Sequence, residues 1–470
     1  MSKRSARPLA SPPPEAWDGL FRLARLATRP LERFLRIEAA SGILLLAAAA
    51  VALIWANSPW ADTYTRLWET PLGLRLGPWG FERSLGWWVN DGLMAIFFFA
   101  VGLEIRREIH HGELSQWRRA ALPAAAAFGG AVVPAGLYLA IAGAEATRSG
   151  WGVPMATDIA FAVGILTLLG KRVPPALRVL LLAVAVIDDL GAIIVIALFY
   201  SSGVAWTGFA VAGGGLAVIL LIQRLGVRSR AVYVAPALVV WAGVYAAGVH
   251  PTIAGVLVGL ITPVRAWLGT EGFLASVREE LTALASAPAG PHASHAVSSS
   301  LQQVDLARRE ALSPAEGLIE ALHPWVAFGI MPIFALANAG VALGGVHFDE
   351  ASWLVVTGVG VGLMAGKPVG LLLACGLVLR LGVARLPAGL GTRHLLVLGV
   401  VAGVGFTMAL FIAQLAFTEA TLLGAGKLGV LIASGGAAAL ALVLGRLLLP
   451  SAPVDGAART ADEAEDSTVA

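Results

Sequence analysis

Five charged residues of this 470-residue chain lie inside long apolar runs and away from the ends of those runs: Asp91, Asp158, Asp188, Asp189 and Lys367. At the centre of a bilayer one such charge costs about 2.5–3.5 kcal/mol even on the mildest insertion scale, so each asks for a partner or a task. Asp188 and Asp189 are adjacent in VIDDLGAI. Neighbours on a helix point about 100° apart, so the two carboxylates cannot form one symmetric dyad. One can face a neighbouring helix while the other faces a cavity. Burial and mutual repulsion penalise two bare charges together, and either a proton or a small cation relieves that penalty. Such alternative occupancy is the chemistry of coupled cation/proton transport. The simpler reading is a carboxylate that glues helices by hydrogen bonds, for which one residue would suffice.

Lys367 sits in LMAGKPVGLLL, in a chain where Lys supplies only four of the 33 basic residues. Arg stays charged in practice, whereas a buried Lys can release its proton. A Lys kept here suggests a titrating partner for Asp188 or a compact counter-charge; a static ion pair is the alternative. Asp158 lies in GVPMATDIAFAVG, beside Thr157 and shortly after Pro154. Pro removes a backbone hydrogen bond and favours a break. Unwound backbone at membrane depth is tolerated only where protein or water covers it. A second run, GVVAGVGFTMALF, is interrupted by glycine at similar depth. Half-helix N-termini carry partial positive charge that Asp158 could offset, and Lys367 could offset the facing C-termini. Two ordinary kinked helices are the alternative here.

These side chains need a scaffold, and composition says of what kind. Hydrophobic residues make up 57% of the chain and charged ones 13%, about half the ~25% usual in soluble domains. The mean hydropathy is +0.79. A soluble globule, a disordered chain, collagen and a coiled coil are excluded as descriptions of the whole; an all-α polytopic membrane protein remains. The single Cys375 excludes an internal disulfide and a cysteine-built metal site. The net charge of +3 reads as a topology signal, not a nucleic-acid footprint.

Spans need about 20 apolar residues each. Twelve runs fit: 37–57, 85–105, 120–143, 150–170, 176–200, 205–223, 231–249, 250–264, 323–345, 352–379, 394–417 and 425–449. On this map 27 Lys and Arg fall with the termini and even-numbered loops, and five with the odd-numbered loops. That asymmetry puts both termini in the cytoplasm. The organisation expected is a cytoplasmic arm at 1–36 without a cleavable signal, a transmembrane domain at 37–449, and an acidic, disordered tail at 450–470. A long cytoplasmic connection, 265–322, interrupts the domain. Its 285–300 stretch reads as a flexible linker, and LQQVDLARREAL after it as an amphipathic surface helix. Spans 3-4-5 and 10-11-12 have opposite topology, and each has an interrupted middle member. Paired broken helices in inverted repeats point to a transporter site at the midplane.

The stretches ETPLGLRLG, WVNDGLMAIFFFAVGLEIRRE, ATDIAFAVG, AVIDDLGAIIVIALFY, GVHPTIAGV, HPWVAFGIMPIFALANAGV, GKPVG and GFTMALFIAQLAF resemble the NhaA family of bacterial Na+/H+ antiporters. The resemblance runs through all twelve spans in order. It implies inverted repeats with two broken, crossing helices, and a multi-pass protein of the bacterial inner (plasma) membrane. It also implies electrogenic exchange of cytoplasmic Na+, or Li+, for a larger number of external H+, serving pH and sodium homeostasis. Asp189 resembles the main cation-binding carboxylate, and Asp188 its partner, able to pair with Lys367. Thr157 and Asp158 resemble the polar elements of the crossing and are expected, with Asp188 and Asp189, in the cation- and proton-binding set; Asp91 resembles part of an outer funnel. Activation at alkaline pH is implied, as is a homodimer among the forms expected. For pH sensing the pattern transfers less completely. Glu104 and Glu108 lie one turn apart at the cytoplasmic end of span 2, with Glu320 and His323 able to approach from the long connection. Ala321 follows Glu320 where the family often has His, and His110 and His111 are available instead. Exposed interfacial charges are the bland reading of this group, and His250 reads more readily as structural than sensory.

No cofactor, nucleic-acid partner or enzymatic activity is expected; the ligands are Na+, Li+ and H+, and the surroundings are lipid. An intramembrane aspartyl protease would also use two Asp on two helices, but its GxGD pattern is absent. A passive cation channel needs no titratable Lys. A Na+-coupled solute symporter is the nearest transport rival.

Overall fold

The computed structural model describes residues 39–76, 79–201, 203, 205–286, 293–342 and 349–450. The arm expected at 1–36 and nearly all of the tail expected at 450–470 lie outside the described residues. Each of the twelve apolar runs is helical over most of its described residues, as lipid requires of a chain that must satisfy its backbone internally. In chain order the first elements are α1 (Ala39–Ala56), α2 (Ala61–Glu69), β1 (Pro71–Leu76), β2 (Trp79–Ser84), α3 (Leu85–His111) and α4 (Trp117–Ala142). Then come the interrupted span α5 (Arg148–Arg172), α6 (Pro175–Phe199), α7 (Trp206–Arg224), α8 (Arg230–Ala246) and α9 (Thr252–Ile261). The second half holds α10 (Gly269–Ser286), α11 (Ala293–Ala311), α12 (Pro314–Asn338), α13 (Glu350–Arg380), α14 (Thr392–Ala402), α15 (Phe406–Ala416) and α16 (Ala420–Leu448).

Among the described residues, eight helices are long and apolar enough to span alone. Two bent pairs, α1 with α2 and α14 with α15, bring the number to as many as ten; α8 and α9 are shorter. The pair α1–α2 turns through 114°. It leads into an antiparallel β1–β2 hairpin, paired from Pro71↔Ser84 to Leu76↔Trp79. The sequence reading had counted this hairpin only as an outer loop.

Three spans widen locally into π turns, at Trp88–Leu93 in α3, Val326–Ile330 in α12 and Gly362–Gly366 in α13. The latter two have a proline just beyond them, Pro332 and Pro368. A proline cannot donate to the preceding turn, so the ladder shifts there. The π turn in α13 ends where Lys367 begins, and the one in α3 contains Asp91.

The 265–322 connection differs from expectation. Helix α10 covers its first part and α11 begins at Ala293, so residues 293–300 of the expected linker are helical, while 287–292 lie outside the described residues. The two helices pack on each other, and that packing overrides a Ser-rich composition that reads as flexible. Span 9 also starts earlier than expected. Pro314 opens it behind a capping box in which Ser313 and Glu316 satisfy each other's backbone.

The bundle closes tightly where α4 meets α13. A methyl built on Gly129 or Gly370 would strike the carbonyl oxygen of the other. Gly370→Ala is therefore expected to lower stability by about 1–3 kcal/mol through overpacking. Gly376→Ala, on the same helix with open space around it, should be neutral or gain up to about 1 kcal/mol from helix propensity. Thermal midpoints in detergent check both, and equal effects at the two sites would contradict this packing.

Candidate functional site

The two interruptions meet. Span α5 consists of a tight turn over Arg148–Met155, extended backbone at 156–158, and a helix from Ile159 to Leu169. Helices α14 and α15 leave a similar gap at 403–405 and bend by 46°. The gaps lie against each other: Asp158 N donates to Val404 O at 2.8 Å, and Thr157 Oγ1 donates to Ala402 O at 3.0 Å. Thr157 thus occupies a carbonyl left free at the C-terminal end of α14.

Asp158 takes the opposite end of both half-helices. One carboxylate oxygen accepts from Phe161 N at 3.0 Å, capping the second half of α5. The other accepts from Thr407 N at 3.1 Å and from the Thr407 hydroxyl, capping α15. Two positive helix ends therefore converge on one negative charge. Lys367 answers at the other polarity, because its Nζ donates to Met155 O at the end of the first half of α5. It also pairs with Asp188 Oδ2 at 2.7 Å.

Asp189, one position on, faces elsewhere. Its Oδ1 is buried and has no hydrogen-bond partner. The side chains of Asp188, Glu104, Asp158 and Lys367 all lie close enough to act on it electrostatically. Asp158, Asp189 and Lys367 are at most 2% exposed, so no bulk water screens them. The site therefore offers one satisfied carboxylate, one carboxylate shared with an ammonium, and one carboxylate with an open oxygen. Hard cations favour such oxygen ligands.

Asp91 lies apart from this centre. It lines a cavity of about 410 Å³ together with Asn90, His250, Asn338, Gln414 and Lys427. His250 Nε2 lies 3.3 Å from Asp91 Oδ1, and His250 Nδ1 lies 2.8 Å from Thr252 Oγ1. The structure does not gather the residues considered for pH sensing into one cluster. His250 sits in this cavity, while Glu108 lies beside Arg107 at 3.6 Å and accepts from Glu113 N. Helix α12 packs on α3 through Leu103, Ala315, Leu318 and Leu322. Glu320 and His323 remain exposed, and among the described residues no hydrogen bond or ion pair recorded here joins them to Glu104 or Glu108.

Sequence reasoning missed three contributors. Thr407 was seen only as part of a break, yet it holds Asp158. Ser434 accepts from Phe406 N at 3.0 Å and completes the start of α15; a lone Ser in GVLIASGG gave no signal. Lys427, at the start of the run 425–449, had been counted with the outer loop before it, although as one of four Lys in the chain it carried the same compositional mark as Lys367.

The chain is similar to several known proteins. Residues 32–444 match the family model described as Na+/H+ antiporter 1. A Na(+)/H(+) antiporter NhaA 2 of Myxococcus xanthus (strain DK1622) is 69% identical over 456 residues, 97% of each chain. A protein of the same name from Sorangium cellulosum (strain So ce56) is 58% identical over 461 residues, 98% of each chain. A solved sodium proton antiporter from Methanocaldococcus jannaschii aligns at a TM-score of 0.45 and 12% identity, covering 92% of this chain and 96% of that one. With a family match spanning nearly all of its apolar helices, this multi-pass membrane protein belongs to the NhaA family of Na+/H+ antiporters.

Proposed function

We propose that the chain is an electrogenic secondary antiporter, moving cytoplasmic Na+ or Li+ outward in exchange for external H+ across a bacterial inner membrane, with both termini cytoplasmic. The observation that carries this reading is the open oxygen of Asp189, buried beside a carboxylate already shared with Lys367. Asp189 is the principal cation ligand and Asp188 the second, with Thr157 and Asp158 holding the crossing that frames them. The names of the most similar relatives support Na+/H+ exchange as the activity.

The geometry suggests how exchange is enforced. In the proton-loaded state Asp189 is neutral, and Lys367 ammonium balances Asp188. A cation that reaches Asp189 and Asp188 takes the counter-charge away from Lys367. Both Asp189 and Lys367 then release a proton as one Na+ enters, so the site loses one net positive charge. Two protons against one sodium ion makes the cycle electrogenic. Asp158 stays outside this exchange because backbone and Thr407 donors already satisfy it. That saturation also disfavours a protease-like dyad of Asp158 with Asp189. Glu104, which acts on Asp189 electrostatically, is the member of the proposed pH-responsive group best placed to couple to the centre.

In everted vesicles with an imposed pH gradient, Na+ or Li+ should dequench a pH-sensitive dye. Asp189→Asn should reduce that signal to background, and substantial surviving exchange would contradict its role as the cation ligand. Removing one partner of a buried ion pair costs about 3–5 kcal/mol, so Lys367→Ala should lower the unfolding midpoint markedly while Lys367→Arg retains most of it. Unaltered stability and an unaltered pH profile in Lys367→Ala would exclude the ion pair from the cycle.

A further inference from the structure

The cavity around Asp91 contains a positive charge that the exchange centre does not use. Lys427 lies near the start of α16 and lines the same 410 Å³ space as Asp91 and Gln414. Gln414 Oε1 is buried without a hydrogen-bond partner, and Asp91 holds a carboxylate there. Two oxygen acceptors of this kind facing one pocket would attract a hard cation. Lys427 is the Lys or Arg among the residues that line this cavity, and Arg83, outside the lining, also acts on Asp91 electrostatically. Asp91 touches His250, and among the described residues Lys427 enters no ion pair, which leaves its ammonium available to an occupant of the cavity it lines. A space of this volume is about 9 Å across, close to one Debye length at physiological salt.

We infer that Lys427 is a specificity-determining residue of the external half-cycle: its ammonium occupies the cation space beside Asp91 and keeps the affinity of the outward-facing cavity for Na+ low. Sodium brought out by the centre is then released, and external sodium is not recaptured. Protons are not excluded in the same way, because they travel through water and hydrogen-bonded groups without needing an oxygen cage. This assignment rests on the antiport reading, and on the cavity opening away from the Arg-rich loops.

The test titrates Na+ separately on each face of oriented proteoliposomes, following proton flux. Lys427→Gln should lower the external half-saturation for Na+ about tenfold, the order expected for one charge at this range in a partly solvated site. The cytoplasmic half-saturation should stay as it was, and Lys427→Arg should behave as the unmodified protein. The chain has one native cysteine, Cys375, and it is buried, so Lys427→Cys gives a second arm on a single preparation. Aminoethyl methanethiosulfonate restores a positive charge and should restore the weak external affinity; neutral methyl methanethiosulfonate should not. An unchanged external half-saturation in Lys427→Gln, or an equal shift on both faces, would overturn the assignment. So would equal effects of the two reagents, which decides the matter if Lys427→Gln does not fold. Absence of Na+-driven proton flux in the unmodified protein would instead overturn the antiport reading itself.

Discussion

A carboxylate held away from water must have a compensating charge at every moment, and the fold is arranged around that constraint. In the bundle, Asp158 is answered by two helix ends and a hydroxyl, and Asp188 by Lys367. Asp189 alone among these three has a fully buried oxygen with no hydrogen-bond partner. What compensates it must therefore come from outside the chain. A proton and a sodium ion are the two candidates small enough, and they cannot share the position. On the proposed function, exclusive occupancy turns a solvation problem into an exchange cycle.

The crossing of α5 with α14 and α15 is the structural cost of that centre. Breaking two helices in an apolar bundle frees polar groups at both polarities, and each must be met. The chain meets them with its own mid-membrane charges, and not with additional ones. Asp158 caps the two N-terminal ends, Lys367 reaches Met155 O, and Thr157 reaches Ala402 O. Lys367 therefore links the scaffold to the chemistry. A change in its charge alters the partner of Asp188 and the stabilisation of the broken helix together, which is a physical route from cation binding to movement of the crossing.

Much of this was legible in the residues. Charges in apolar runs marked the centre, because lipid makes each one expensive. Pro154 and the glycines before Phe406 marked the breaks, because each weakens a helical ladder. Other features left no such trace. The π turns depend on where a proline falls relative to neighbouring packing, as Pro368 does behind Gly362–Gly366. The β1–β2 hairpin is short, and its alternating leucines were overshadowed by the stronger helical signals on either side. The helical start of α11 was masked by serines, which are neutral enough for a partner helix to decide. The meeting of His250 with Asp91 joins positions distant in sequence, which periodicity cannot reveal.

The outer cavity and the centre also differ in kind. At the centre, Asp189 has a buried oxygen that the chain leaves without a hydrogen-bond partner, and on the proposed function a cation is drawn in there. Beside Asp91, Lys427 lines the cavity and Arg83 also acts on the carboxylate. Equilibrium binding of Na+ to purified protein across pH 6–9, with proton release recorded in the same titration, tests the central claim most directly. Affinity should weaken as pH falls, by up to about tenfold per pH unit for each proton displaced, and binding should release protons. Affinity that does not change with pH, with no proton release, would contradict the claim.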